Sequence, residues 1–256
     1  MNLLRSKAIA RNDARIMLRD PFPLVMLAVF PLFLMGFLKP VFRLDLHPTT
    51  GRAANGAEQV VPGIAILYSF FLVGAVGFAF FREHWWCTWE RLRASVATPR
   101  EIMVGKLAPL VALAVVQQVL LFVGGIALLG LDVRGSLLAL AIVGLSQCLS
   151  ITTLGVALMS LCRTSAQLNT TSNAVLLVAV IGGVLVPTSV LPGWARTLAP
   201  ASPSYWALKG FQNVILNGGG LGDILRPVAM LAGFSLLFAT LALTRFRFED
   251  AKTAGW

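Results

Sequence analysis

The stretch VVPGIAILYSFFLVGAVGFAFF, Val60–Phe81, runs without a single charged residue. A helix rising about 1.5 Å per residue needs about 20 residues to cross a hydrocarbon core of about 30 Å, and this stretch is long enough. Working outward, five more uncharged stretches of 18 residues or longer appear: Pro21–Leu38, Leu107–Leu131, Gly135–Cys162, Thr164–Ala195 and Pro227–Thr244. Inside lipid every backbone polar group must be satisfied within the segment, so these stretches read as helices. Transmembrane strands would need segments of about 10 residues in strict alternation, and none is seen. Of the 256 residues 57% are hydrophobic and 12% are charged, against about 25% charged in a soluble domain. The expected fold is therefore all-α and integral to the membrane. Six spans are expected at 21–40, 60–82, 107–131, 135–162, 172–192 and 227–245, forming one domain over 1–256. The first stretch follows twenty charged or polar-rich residues and precedes no small-x-small site, so it reads as a retained span.

The net charge of +10 could suggest a nucleic-acid partner, but the cations flank the spans. Two-thirds of the 21 Lys and Arg lie in the amino-terminal segment, the second and fourth loops and the carboxyl tail. The positive-inside rule puts these segments and both termini in the cytoplasm, in a multi-pass inner-membrane protein with no nucleic-acid partner. Cys87, Cys148 and Cys162 have no CxxC spacing and fall in spans or near the cytoplasmic side, where thiols stay reduced. They read as small apolar filler.

Residues 1–20 form an amphipathic segment. Lys7, Arg11, Arg15 and Arg19 recur at i, i+4 as one cationic stripe, with Leu4, Ile9, Ile16 and Met17 as apolar partners. The segment is either a helix on an anionic inner membrane surface or a plain positive flank. Lys39–Gln59 reads as a polar external loop in which His47 is solvated. Thr98-Pro99-Arg100-Glu101 combines a capping threonine, proline at the first helical position and glutamate three residues after the cap. One helix should end near Ala97 and the next begin at Thr98, making a rigid cytoplasmic knob. Thr164, Ser165, Gln167, Asn169, Thr170, Thr171, Ser172 and Asn173 are too polar to face lipid throughout. They line a wet cavity or a helix interface, or lie outside the membrane as a loop and cap. Pro187 and Pro192 are expected to end that span. The external segment 193–226 has an apolar middle around Tyr205 and Trp206, which predicts short interfacial or re-entrant helices and a turn at Gly218–Gly220.

Several chemistries lack their residues. No charge lies well inside a span, which disfavours coupling to an ion gradient. His47 and His84 both fall in loops before the third span, leaving no buried base for proteolysis and no metal cluster. The phosphate-loop pattern is missing, because Arg100 stands where its first glycine should precede Gly105-Lys106. No catalytic set and no metal site is expected.

The segment EHWWCTWERLRASVATPREIMVGKL, Glu83–Leu107, resembles the signature of the ABC type-2 transporter permeases. Glu83, Glu90, Arg91, Leu92, Ala94, Ser95, Pro99, Gly105 and Lys106 match its pattern. GGVLVPTSVLPGW, Gly182–Trp194, and PASPSYWALKGF, Pro200–Phe211, look like the family's fifth span and following loop. The closest likeness is to daunorubicin-type multidrug-export permeases. Trp85, Trp86 and Trp89 depart from the pattern; they sit at headgroup level or pack into a partner.

The resemblance implies an exporter permease for a hydrophobic or amphiphilic drug, lipid or glycolipid. The alternatives are a lipid-linked glycan or polysaccharide exporter, or a non-transporting scaffold. It implies a second permease chain, identical or a close paralogue, and two copies of a separate ATP-binding subunit carrying ATP and Mg. The chain itself would hold no cofactor. Residues 83–106 would couple to that ATPase through Glu83, Glu90, Arg91, Leu92, Arg93, Ala94, Ser95, Thr98 and Pro99. Lys7, Arg11, Arg15 and Arg19 would lie on membrane lipid in the family's connecting helix. The second and fifth spans would bound a substrate path, with Phe70, Phe71, Phe78, Asn173 and Val186 as candidate lining.

Overall fold

A computed structural model describes residues 2–45, 55–186 and 191–245. Helices follow one another: α1 Leu3–Arg19, α2 Pro21–Asp45, α3 Ala57–Trp85, α4 Trp89–Arg93, α5 Pro99–Leu129, α6 Leu137–Leu161 and α7 Ser165–Ile181. They continue as α8 Gly193–Leu198, a 3-10 turn at Ala199–Ala201, α9 Pro203–Ile215 and α10 Leu225–Arg245. No strand occurs among the described residues.

Among the described residues, five helices are long and apolar enough to cross a membrane: α2 through Val25–Phe42, α3, α5, α6 and α10. This is an all-α integral membrane protein. α3 is the axis of the bundle. Its apolar stretch is 78% buried, against 17% for α2 and for α10. α2, α5, α6, α7 and α9 all pack on α3, while α10 packs on α6 and α9. The outer helices present Phe33 and Phe37 of α2 and Leu236 and Leu243 of α10 outward, as lipid-facing surfaces do.

The bounds of several elements differ from the sequence expectation, and each difference has a local cause. α2 continues past Lys39 to Asp45, and the Lys39 ammonium donates to the Leu129 carbonyl at 2.6 Å. His47 lies outside the described residues. The helix after the second span ends sooner than Ala97. α3 stops at Trp85, Cys87 takes a positive φ of 54°, and α4 covers only Trp89–Arg93.

The fifth expected span, 172–192, is a 17-residue helix set earlier, Ser165–Ile181. Thr164 caps it, accepting from the Gln167 amide at 3.2 Å, so the polar run forms its first turns instead of a loop. Prolines do not end it; Gly182 and Gly183 do. Gly183 has φ 89°, a left-handed conformation that stops a helix and suits glycine. Pro187 lies outside the described residues. At about 1.5 Å per residue this helix is roughly 26 Å long, slightly under a full crossing. The chain then returns as α8 and α9, the short helices expected in 193–226. α9 buries Trp206, Phe211 and Val214 against the bundle. Gln212 donates to Gln59 of α3, and Gln59 donates to the Gly183 carbonyl at 3.3 Å. One hydrogen-bond chain thus pins α3, the turn after α7 and α9 together.

Candidate functional site

The break between α3 and α5 begins with a capped helix. Thr98 Oγ1 accepts from the Glu101 amide at 3.4 Å, and the Glu101 carboxylate accepts from the Thr98 amide at 3.0 Å. Pro99 opens the helix, so the expected capping box is complete. α5 has 31 residues, about 46 Å at 1.5 Å each, which exceeds a 30 Å core by roughly ten residues. At this end α1 runs beside α5 in the same direction and helps bury Glu101, Ile102, Gly105 and Lys106. The Asn2 amide donates to Glu101, Arg5 donates to the Val96 carbonyl, Ile9 faces Gly105 and Asp13 meets Lys106.

A buried ion cluster ties these helices. Lys106, 1% exposed, donates to Glu83 Oε1 at 2.8 Å and to Asp13 Oδ2 at 3.2 Å. Arg82 completes the set, donating to Asp13 Oδ1 at 3.2 Å. Two cations thus face two anions, which satisfies the rule that buried charges are paired. Thr88 donates to the other Glu83 oxygen and to the Glu83 carbonyl, so the turn into α4 hangs from the same carboxylate. Arg82 also lies over the Trp86 ring at 5.2 Å. A cavity of about 500 Å³ opens beside the cluster, lined by Met17, Phe78, Arg82, Trp85 and Lys106 among others.

The Gly-Lys pair at the start of the third span now has a physical account. A Cβ on Gly105 would lie 2.7 Å from Ile9 Cβ and 2.9 Å from the Ser6 carbonyl oxygen. Only glycine lets α1 come this close. Lys106 then reaches Asp13 and Glu83 across the contact.

The sequence-selected residues sort into two groups. Glu83 is buried inside the ion cluster, its carboxylate turned to Lys106 and Thr88, and offers little surface to a partner. Glu90, Arg91, Arg93, Ala94, Ser95, Thr98 and Pro99 are exposed, and Leu92 is half-buried against the core. Glu90 and Arg93 pair with each other at 3.3 Å on the surface. Trp85 and Trp86 are exposed, but Trp89 packs inward against the His84 ring at 4.8 Å. Trp89 is therefore neither a headgroup anchor nor a partner contact; burial in the chain's own core accounts for it. Lys7, Arg11, Arg15 and Arg19 are all exposed along one side of α1.

The five path residues are not gathered in one place. Phe70 is core, Phe71 packs on Tyr68 at the surface, and Phe78 lines the cavity beside the cluster. Asn173 and Val186 are exposed on and beyond α7. Sequence reasoning missed Asp13 and Arg82 as members of the cluster, and took Lys106 only as a motif letter. The available signal was Asp13 itself: an acid on the face of α1 that also carries Ser6, Ile9 and Met17, in a segment otherwise cationic.

The fold and this end of it define a multi-pass membrane bundle with a rigid, charged break seated on a buried clamp. Comparison with known families makes the assignment specific: the ABC-2 type transporter family model matches residues 6–216. The chain belongs to that family and is a membrane permease component of an ABC transporter. The match starts inside α1 and reaches the residue after α9, so it includes the clamp, the break and the returning helices. A search of the curated proteins gave no match.

Proposed function

We propose that the chain is the permease half of an ATP-driven exporter for a hydrophobic or amphiphilic substrate. Two permease chains pair, and two separate ATP-binding subunits dock on their cytoplasmic faces, carrying ATP and Mg. The observation that supports this reading is the mechanical continuity of the break. The exposed tip, α4 with residues 94–98, connects through Thr88, Glu83, Lys106 and Asp13 to three helices at once. A push on that tip moves α1, α3 and α5 as a body. α3 is also the axis helix, so its tilt is felt throughout the bundle.

In this reading the ATPase contacts Glu90, Arg91, Arg93 and the 94–98 turn, while Glu83 acts through Lys106 as an internal strut. The cationic stripe of α1 lies on inner-leaflet lipid, and both termini are cytoplasmic. α7 keeps Asn169, Thr170 and Asn173 exposed; polar residues at membrane depth are costly against lipid, which supports a second chain and a substrate path on that side. The permease performs no covalent chemistry of its own.

The test is the Arg91→Glu, Arg93→Glu double variant, assayed with the partner ATPase in proteoliposomes. Transport and substrate-stimulated ATP hydrolysis should be lost, while membrane level and thermal stability hold. Among the described residues the one ion pair disturbed, Arg93 with Glu90, is on the surface, and such a pair contributes about 0–1 kcal/mol. Unchanged transport by this variant removes the coupling role.

A further inference from the structure

The cavity of about 500 Å³ beside the ion cluster has a graded wall. α1, α3 and α5 each give it one charged residue at the same end and apolar residues further in. On α3 the lining runs from Arg82 through Ala79 and Phe78 to Ala75, one face of the helix over about 10 Å. On α5 it runs from Lys106 to Pro109 and Leu110, and on α1 from Asp13 to Met17. Arg82 directly follows the uncharged stretch Val60–Phe81, and Lys106 directly precedes the uncharged stretch Leu107–Leu131. The charged end therefore stands at the edge of the hydrocarbon core, and the apolar end reaches into it. Trp85 and Trp86, both exposed, flank the charged end, as rings at headgroup level do.

Of the three charged lining residues, Arg82 is the one open to a ligand. Lys106 and Asp13 are 1% and 3% exposed, and both are spent inside the cluster. The Arg82 side chain keeps 19% of its surface. Its Nη2 donates to Asp13 Oδ1 and its Nε is sealed, but Nη1 is neither sealed nor hydrogen-bonded among the described residues. The guanidinium stands between Asp13 and the Trp86 ring, both of which also line the cavity. Asp13 and Glu83 each hold Lys106 already, so the Nη1 side of Arg82 is left for an acceptor from outside the chain. A guanidinium takes phosphate oxygens through charge-assisted hydrogen bonds. Exposed Lys7, Arg11, Arg15 and Arg19 on α1 draw an anionic lipid surface to the same end.

We infer that this cavity seats one anionic phospholipid, with its phosphate on Arg82 and one acyl chain between α1, α3 and α5. A plain hydrocarbon would leave Arg82 bare, and a free anion would leave the apolar end unfilled. This is a lipid held in a cavity, distinct from the lipid surface beneath the α1 stripe. The inference does not rest on the exporter reading.

The experiment uses the full chain in phosphatidylcholine nanodiscs that carry a trace of a phospholipid with a diazirine on one acyl chain. The probe is phosphatidylglycerol in one arm and phosphatidylcholine with the same chains in the other. Both leaflets contain it, so the result does not depend on orientation. Phosphatidylglycerol should label residues 75–79 and 106–110 in preference to phosphatidylcholine. Arg82→Gln should cut phosphatidylglycerol labelling there by about ten-fold, close to what one hydrogen bond to a charged group supplies, and leave phosphatidylcholine labelling unchanged. Ala75→Trp, which fills the apolar end and leaves the ion cluster whole, should reduce labelling by both probes. Arg82→Gln also loses the pair with Asp13, so the unmodified chain and Ala75→Trp carry the test by themselves if that variant fails to fold. Excess inorganic phosphate should not displace the lipid. Equal labelling by the two probes in the unmodified chain overturns the inference. So does a phosphatidylglycerol preference spread evenly over α2 and α10, displacement by inorganic phosphate, or a preference that survives Ala75→Trp or a folded Arg82→Gln.

Discussion

Lys106 Nζ lies 2.8 Å from Glu83 Oε1, which locks the first turns of α5 to the last turn of α3. The bridge is deep: the lysine is 1% exposed, and its second partner, Asp13, comes from α1. Three helices therefore share one ammonium. Removing it by Lys106→Met leaves two carboxylates buried together, with Arg82, hydrogen-bonded to Asp13, as their remaining cation. Breaking a buried pair from one side costs about 3–5 kcal/mol. Lys106→Met should therefore lower the midpoint of thermal unfolding in detergent and the yield of folded protein. The Lys106→Met, Glu83→Gln double variant should recover much of the loss, because the uncompensated charge is gone. A single variant as stable as the parent would show that the cluster is not a clamp.

Gly105 makes a separate prediction, because it acts through space and not charge. Its Cβ position is 2.7 Å from Ile9 Cβ and 2.9 Å from a backbone carbonyl oxygen of α1; of the two, the carbonyl has nowhere to go. Gly105→Val should displace α1 from α5 at a cost of about 1–3 kcal/mol, the usual range for overpacking. Lys7 and Arg11 are already exposed, and freeing α1 should make tryptic cleavage at both markedly faster. Gly105→Ala should lie between the parent and the valine variant.

The contrast between these two sites and the rest of the break explains what the sequence made legible. The capping box at Thr98, Pro99 and Glu101 closes within four residues, so local chemistry predicts it. The apolar spans are equally local, and their helical type follows from composition; of the six expected, five are long enough to cross among the described residues, while α7 is a shorter apolar helix. The ion cluster is not local: Asp13 and Lys106 are 93 positions apart, and no periodicity pairs them. The end of α7 was obscured for another reason. Pro187 and Pro192 are strong breakers, but the positive φ of Gly183 stops the helix before either is reached. The candidate path residues were chosen by type on a span, and type does not say which way a helix faces.

Cys87 offers a check on orientation. It is exposed in the turn between α3 and α4, whereas Cys148 and Cys162 are buried. A membrane-impermeant maleimide should label Cys87 in inside-out vesicles and not in intact cells. Cys148 and Cys162 should stay unlabelled in both until the protein is denatured. Labelling of Cys87 from outside intact cells would reverse the topology proposed for the termini and for the ATPase face.

Inside the bundle, a polar chain crosses three helices. Gln118 of α5 donates to Gln147 of α6 at 3.2 Å, and Gln147 donates to Ser69 of α3 at 2.7 Å. The Ser69 hydroxyl donates in turn to the Ile66 carbonyl at 2.6 Å, so the chain ends on backbone. All three side chains are buried. Gln147→Leu removes the middle link: Gln118 keeps a buried amide nitrogen with no acceptor, and Ser69 loses a donor but keeps its own bond. The expected cost is about 1–3 kcal/mol, set mainly by the orphaned Gln118 nitrogen. Gln118→Leu alone should cost less, because Gln147 still holds Ser69. Replacing both glutamines by leucine should cost less than the sum of the single changes. Interhelical bonds of this kind couple by about 0.6 kcal/mol on average and up to about 1.7. A double-mutant cycle on unfolding in mixed detergent measures the difference, and strict additivity would show that the two amides do not interact. A coupling near the upper value would tie α3, α5 and α6 together at mid-depth, as the ion cluster ties α1, α3 and α5 at the end.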